Sequence, residues 1–233
     1  MLFSSTFTLL ASAAASVSAA ALPAAAAGAR HAKRGGSISV TPHDKYSSSI
    51  GVLGCKIDVN RVAYWPLAPD CDNLCAKVSA NGRSVHLLRV DQSGGAYDIS
   101  YDAWNYLATG QSARDAPTQG GGIDAVWEDV PVADCVAAGL LANEPGARLA
   151  FSAANSMNFI ASCPADSWVA QHSALYNILN PICTWGLDET CVLPSPDQGN
   201  QPVCPHQLGL QEPLTSQPVH NIVYGTGASS LAQ

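Results

Sequence analysis

The stretch that decides the fold is NGRSVHLLRVDQSGGAYDIS, residues 81–100. It begins with Asn-Gly, a strong hairpin signal because both residues accept the positive φ that a two-residue turn requires. Residues 84–90 carry apolar side chains on both faces, which favours a strand enclosed in a closed barrel. Gly94-Gly95 indicates a second tight turn. Ser100 is a good N-cap for a short helix that ends near Gly110.

Patterns typical of β-strands flank this stretch on both sides. Residues 55–64 alternate imperfectly between apolar and polar side chains, and residues 76–80 predict a short strand. Residues 123–132 predict a last strand, after which Cys135 closes the unit. Residues 35–54 begin as a polar, serine-rich segment, and we expect them to form a flexible lead. The predicted barrel therefore covers residues 55–135.

The order of these pieces resembles the double-psi β-barrel of expansins, a family related to barwin-like proteins and small barrel endoglucanases. The central strand, the Gly-Gly turn and Tyr97-Asp98-Ile99 match the centre of that barrel. Its closing strand is similar to Gly122-Ile123, Val126-Trp127, Val130 and Cys135. The resemblance implies a mainly β fold, a six-stranded double-psi β-barrel with short helices. Here we expect a disulfide-rich C-terminal extension packed on that barrel.

The extension, residues 136–233, does not follow the family, in which a β-sandwich domain would come next. Residues 167–180 predict an amphipathic helix that Pro181 stops. Residues 219–224 predict a final strand.

The N-terminus has the features of a targeting segment. Residues 1–20 are small and apolar with an A-x-A-like end, which predicts a signal peptide. A transmembrane anchor is the alternative, but it needs about 20 strongly apolar residues, and alanine and serine are too weakly apolar. Residues 21–34 end in Lys33-Arg34 and predict a propeptide with a dibasic cleavage site, with a simple basic linker as the alternative. We therefore expect a secreted protein of the extracellular space or cell wall.

The cysteine count agrees with export. An even number in an exported chain predicts four disulfides, among 105 possible connectivities. We expect the first four cysteines to form disulfides within the barrel and the last four within the extension. One disulfide that joins the two sets is the alternative. Zinc is the alternative for Cys71-x-x-x-Cys75, but no Cys or His pair follows at a matching distance. We predict no metal and no cofactor. The eight are Cys55, Cys71, Cys75, Cys135, Cys163, Cys183, Cys191 and Cys204.

The net charge of the chain limits the classes of partner that it can bind. The formal net charge is −7, with 18 acidic residues. Removal of residues 1–34 would take away three basic residues and leave a net charge of about −10. Such a surface disfavours nucleic acid and anionic membranes as partners. Neutral glucan or chitin is an easier partner than acidic pectin.

Asp98 is the first candidate for chemistry. The resemblance to barrel endoglucanases implies a general acid at this position. Inverting hydrolysis also needs a second carboxylate about 6.5–9.5 Å away. In those enzymes the base follows an early Tyr-Trp, but here Tyr64-Trp65 is followed by Pro66. A purely structural role for Asp98, as a helix cap or an acceptor of loop N–H groups, is the competing interpretation.

Other carboxylates are weaker candidates. Asp91 matches a polar site residue of peptidoglycan-active relatives, but its expected role is to fix the turn over Gly94-Gly95. Asp124, Glu128 or Asp129 could replace the missing base only if the fold points one of them at Asp98.

Aromatic side chains around the same elements are the candidates for sugar binding, because aromatic faces stack on sugar rings. We expect this role for Tyr64, Trp65, Tyr97 and Tyr101, and core packing for Trp104.

Three hypotheses follow. The first is a non-hydrolytic, expansin-like protein that binds or loosens cell-wall polysaccharide. The second is a glycoside hydrolase with Asp98 as general acid and a relocated base. The third is an apoplastic effector or inhibitor that contacts a host or competitor protein through the extension. The missing base favours a protein that is not an enzyme.

Overall fold

Six strands close into a barrel in the computed structural model, which describes residues 34–193 and 201–233. The expected signal peptide and nearly all of the expected propeptide lie outside the described residues. The ring order is β1-β5-β2-β4-β3-β6. The strands are β1 Gly35–His43, β2 Val62–Trp65, β3 Cys75–Ala80, β4 Arg83–Gln92, β5 Tyr97–Ser100 and β6 Ile123–Val130.

The pairing pattern confirms the double-psi topology. β1 pairs with β5 in parallel, β2 pairs with β4 in parallel, and the other four contacts in the ring are antiparallel. Exchanging β1, β2 and β3 with β4, β5 and β6 returns the same ring and the same two parallel pairs. The barrel therefore has pseudo-two-fold symmetry.

The turn and helix expected from the central stretch are present. Asn81 and Gly82 have φ of 53° and 73°, so both central residues of the β3-β4 hairpin lie in the left-handed region. Helix α1, Tyr101–Thr109, begins after Ser100 and ends at Gly110 with φ 87°. Arg83 and the Asn81 side chain both donate to the carbonyl of Leu107 near the end of α1. The hairpin thus satisfies a carbonyl that the last turn leaves unpaired.

The prediction of a flexible lead over residues 35–54 was wrong. Residues 35–43 form β1, which pairs with β6 and β5 and so closes the barrel. Ile38 and Val40 pack in the barrel interior, while Ser37, Ser39 and Thr41 alternate onto the outer face. The serines that suggested flexibility are the solvent side of a two-residue repeat. The barrel strands therefore span residues 35–130.

Two apolar cores lie on opposite sides of the barrel wall. The interior core includes Trp65, Val78, Leu87, Ile99 and Trp127. A second core fills the space between the outer face of β2 and β4 and the rest of the chain. Its members include Tyr64, Leu88, Val90, Phe151 and Ile178.

The extension supplies the far side of that second core. α2 Val132–Ala137 leads from the barrel into the extension, which contains β7 Leu149–Ser152, α3 Met157–Ser162, α4 Trp168–His172, β8 Ser173–Ile178, β9 Gly186–Cys191, β10 His220–Ile222 and β11 Ser229–Leu231. β7, β8 and β9 form a three-stranded sheet, and β10 and β11 form a hairpin. β10 lies within the strand expected over residues 219–224.

The helix predicted over residues 167–180 was wrong in its second half. Ser167 caps α4 by accepting from the amide of Ala170, but the helix ends at His172. Residues 174–178 are all buried and contain Leu175, Tyr176 and Ile178, so they fit the middle of a sheet. Pairing with β7 and β9 outweighs a helical pattern of only marginal length.

The prediction of four disulfides is confirmed, but their expected division was wrong. Cys75–Cys135 lies in the barrel region and Cys191–Cys204 in the extension. The other two, Cys55–Cys183 and Cys71–Cys163, join the two regions. Two bridges cross because the extension covers the side of the barrel from which Cys55 and Cys71 approach. Four disulfides are typical of proteins from oxidising compartments.

We predict unequal losses of stability when the bridges are removed. Cys55 and Cys183 are 128 residues apart, whereas Cys191 and Cys204 are 13 apart. The chain-entropy model gives the longer loop a stabilising effect about 2 kcal/mol larger. Urea denaturation of the Cys55→Ala/Cys183→Ala and Cys191→Ala/Cys204→Ala variants measures both losses. A larger loss for the second variant would contradict the inferred role of the crossing bridges.

Candidate functional site

Four side chains form a row across neighbouring strands on the outer face of the barrel wall. In register, Thr41 of β1 faces Asp98 of β5, Asp98 faces Tyr64 of β2, and Tyr64 faces Asp91 of β4. The register shifts between Ala63 and Tyr64. This bulge turns Asp91 to the same face as Tyr64. The two candidate carboxylates thus flank one tyrosine.

Asp98 is half-buried, and its carboxylate accepts a hydrogen bond from the Thr41 hydroxyl. The bond runs across the parallel β1-β5 pair, so it joins two strands that are distant in sequence. Ser100 has a different task at the start of α1. Its hydroxyl donates to the carbonyl of Val59 at 2.7 Å and accepts from the amide of Val62 at 2.9 Å. Asp98 is therefore held by its neighbouring strand, with an edge turned to solvent.

Asp91 anchors the segment that leads from β1 towards β2. Its carboxylate accepts from the Ser47 hydroxyl at 2.5 Å and from the Ser49 amide at 2.9 Å. The turn after β4 is held differently, because the Ser93 hydroxyl donates to the carbonyl of Ala96. The expectation that Asp91 fixes the Gly94-Gly95 turn was therefore wrong.

Three of the four predicted sugar-stacking residues are buried. Tyr64 is 4% exposed, Trp65 is 0% exposed and Tyr101 is 2% exposed. These side chains cannot offer an open ring face, so the expectation that they line a groove was wrong. Tyr97 remains half-buried, with its ring centroid 5.5 Å from that of Trp65.

Each buried ring has a structural partner. The centroid of Trp65 lies 4.8 Å from that of Trp127 inside the barrel. Tyr64 points the other way, with its ring 4.5 Å from His43, and burial raises the pKa of its phenol well above the ordinary value. The Tyr101 hydroxyl donates to the carbonyl of Thr118 at 2.7 Å.

The three candidates for a relocated base lie on different faces of the barrel wall. Asp129 points into the barrel and is 4% exposed, with Arg34 at 2.7 Å and Arg89 at 3.1 Å. It cannot face Asp98. Asp124 and Glu128 lie on the outer face of β6. Asp124 pairs with Ser39, two residues before the threonine that binds Asp98, so it is the better placed of the two.

A groove of about 860 Å³ runs over this outer face, across β1, β6 and the β3-β4 hairpin. Its lining is rich in hydroxyl groups and also holds one amide, one guanidinium and one carboxylate. The sequence analysis missed most of these residues; the signal was the alternation of serine and threonine along residues 37–41. The polar lining residues are Ser37, Ser39, Ser79, Asn81, Arg83, Ser84 and Asp124.

Comparison with known proteins gives no family assignment. A scan against protein-family models finds no match, and a search of curated proteins finds no significant match.

Metal-binding clusters and membrane-spanning helices are absent from the part of the chain that the structure describes. Within it, no group of three or more His, Cys, Asp or Glu side chains could hold a metal ion. Both cysteines of the Cys71-x-x-x-Cys75 pair are in disulfides. No helix among the described residues is long and apolar enough to cross a membrane.

Asp102 fixes the start of helix α1, which directly follows β5. Its carboxylate contacts Arg61 at 2.7 Å, the Ser112 hydroxyl at 2.6 Å and the Ala113 amide at 2.7 Å. Burial alone would raise the pKa of Asp102, but the bonds from Ser112 and Arg61 and the positive charge of Arg61 hold it below its ordinary value.

We predict that Asp102 contributes to acid sensitivity. Because its folded pKa is depressed, its stabilisation is present above the unfolded pKa and is lost as the pH falls through the folded pKa. Asp102→Asn should lower the free energy of unfolding by about 1–3 kcal/mol at pH 7. The difference from the wild type should shrink as the pH falls below the ordinary carboxyl pKa of 3.8. Urea denaturation from pH 7 to pH 2 measures this, and a difference that grows in acid would contradict the assignment.

Proposed function

We propose that the protein is a secreted, non-hydrolytic barrel protein that binds neutral cell-wall polysaccharide. The observation that supports this most is the position of Asp98. Its carboxylate is held by Thr41 at the edge of the open outer face, close in register to the hydroxyl-lined groove.

The chemistry of this face suits a neutral sugar chain. A carboxylate accepts hydrogen bonds from sugar hydroxyls, and serine hydroxyls both donate and accept them. Tyr97, the half-buried member of the predicted aromatic set, packs against Trp65 on the opposite face of β5 from Asp98, so the proposed binding surface rests on polar groups. The net charge of −7 disfavours acidic polymers such as pectin.

Binding without hydrolysis is favoured by the roles of the other carboxylates. Asp91 is bonded to Ser47 and Ser49, Asp102 is paired with Arg61, and Asp129 lies inside the barrel. Pro66 occupies the position at which barrel endoglucanases carry their base. Of the three residues considered for a relocated base, Asp124 and Glu128 are the two on the outer face of β6.

Binding assays on insoluble cellulose, chitin and β-glucan test the proposal. We expect the wild type to be retained on at least one of them. Asp98→Asn should bind about 10- to 100-fold more weakly, because a hydrogen bond to a charged group contributes about 1.5–3 kcal/mol. Asp115→Asn is a matched control, because Asp115 is exposed in the loop after α1. No retention of the wild type on any polymer would contradict the proposal.

A reducing-sugar assay on the same samples separates binding from hydrolysis. We expect no product from the wild type. Product that disappears in both Asp98→Asn and Asp124→Asn would instead support a hydrolase with a relocated base.

A second candidate is inhibition of another protein through the extension. Three of its apolar side chains are unusually open, with Trp185 45% exposed, Val203 63% exposed and Val192 70% exposed. Val192 and Val203 pair through two backbone hydrogen bonds of 2.8 Å beside the Cys191–Cys204 bridge. Exposed apolar side chains that lie together on a surface are a common basis of protein contacts.

Enzyme inhibition assays against secreted proteases and glycoside hydrolases test this candidate. If it is correct, the wild type and Asp98→Asn inhibit one of them equally. The Val192→Ser/Val203→Ser variant should then lose at least tenfold in potency, since removing interface anchors costs more than about 1.4 kcal/mol. Equal inhibition by all three proteins would exclude Val192 and Val203 as the contact.

A further inference from the structure

Arg34, the second residue of the dibasic pair, belongs to the folded barrel. Its Nε lies 2.7 Å from Oδ2 of Asp129, and its second guanidinium nitrogen lies 2.7 Å from Oδ2 of Asp70. Its carbonyl accepts a bond of 2.8 Å from the Asp129 amide. Three contacts therefore fix the residue that a dibasic protease would have to bind. Lys33 lies outside the described residues.

The bond after Arg34 leads directly into a paired strand. Gly35 faces Glu128, Gly36 faces Trp127 and Ser37 faces Val126 in the β1-β6 ladder. The approach is close, since a Cβ on Gly35 would lie 2.7 Å from the carbonyl oxygen of Trp127. An endoprotease binds its substrate as an extended chain detached from other strands. The residues after the bond would have to leave the barrel wall first.

The contacts of Arg34 continue into the barrel interior. Oδ1 of Asp129 lies 3.1 Å from Arg89, which is buried between the rings of Trp65 and Trp127. Freeing Arg34 would leave a buried carboxylate with one fewer cation. Opening at this point is therefore opposed by an interior ion pair as well as by strand pairing.

Asp70 and Asp129 together hold Arg34, and we call this pair the clamp. Asp70 is its more accessible member, since its side chain is 36% exposed and that of Asp129 is 4% exposed. Its Oδ1 accepts from the amides of Asp72 and Asn73, at 3.0 Å and 2.5 Å, and its Oδ2 binds Arg34. An asparagine here can keep the two amide bonds through its remaining oxygen while losing the charge. Asp70→Asn therefore weakens the hold on Arg34 and leaves the local turn in place.

We propose that folding controls processing at Lys33-Arg34. A basic-pair endoprotease hydrolyses the Arg34–Gly35 bond in the unfolded chain, and water supplies the new carboxylate of Arg34 and the new amino group of Gly35. Once β1 pairs and Asp70 and Asp129 bind Arg34, the same bond is protected. Chains that fold before cleavage keep the residues that precede Gly35. Chains that are cut before folding form a barrel without Arg34.

The chain suits a direct test, because Lys33-Arg34 is its single pair of adjacent basic residues. The oxidised full chain is incubated with a basic-pair endoprotease, and cleavage is followed by mass spectrometry. The same chain, reduced and alkylated, is the positive control for access. We expect the oxidised chain to be cut at least 100-fold more slowly, because cleavage must wait for opening of the strand.

Variants test whether the clamp is responsible. Asp70→Asn should be cut about 5- to 10-fold faster than the oxidised wild type, and Asp115→Asn at the wild-type rate. Equal rates for the oxidised and the alkylated wild type would overturn the proposal. An Asp70→Asn rate equal to that of the wild type would overturn the role of the clamp. Neither outcome depends on glycan binding, so the test is independent of the proposed function.

Discussion

The structure depends on the burial of β2 on both of its faces. All four residues of this strand are buried, because Ala63 and Trp65 face the barrel interior while Val62 and Tyr64 face outwards into a second core. A strand with two apolar faces is stable only if something covers the outer one. The extension does this, and two disulfides hold it there. The barrel and its extension are therefore one cooperative unit of apolar packing.

This constraint divides the outer surface of the barrel into two sides. The side around β2 and the second half of β4 is covered by the extension, and the aromatic residues there serve packing. The side formed by β1, β6 and the β3-β4 hairpin remains open and is dominated by hydroxyl groups. Asp98 lies close to the boundary between them, half-buried and oriented by Thr41. The proposed binding surface thus follows from which side the extension leaves uncovered.

Local signals in the sequence were sufficient for some elements and insufficient for others. Asn81-Gly82 and Gly110 predicted the hairpin and the end of α1, because their backbone requirements are local. Ser100 stands at the start of α1 as expected, but its hydroxyl binds Val59 and Val62 and caps no helix amide. β1 was missed because its outer positions are serine and threonine, which resemble a linker when the alternation is overlooked. β8 was missed because its helical pattern is a local signal, whereas its pairing with β7 and β9 is a tertiary contact that outweighs that pattern. Disulfide pairing is likewise non-local.

Local sequence signals were also insufficient to predict the candidate site. Tyr64 and Trp65 are adjacent on a strand, so their side chains must point to opposite faces, and at most one could have lined a groove. The alternation rule alone could have removed that expectation. No rule applied to the sequence alone could show that Asp129 is an interior ion-pair partner of Arg34 and Arg89, because their contacts span 95 and 40 residues.

The most direct test of the proposed glycan-binding surface is an NMR titration of the folded protein with soluble neutral oligosaccharides of glucan and chitin. The proposal predicts saturable amide shifts centred on Ser39, Thr41 and Asp98. Shifts confined to the extension around Trp185, Val192 and Val203, or no saturable shift with either sugar, would contradict it.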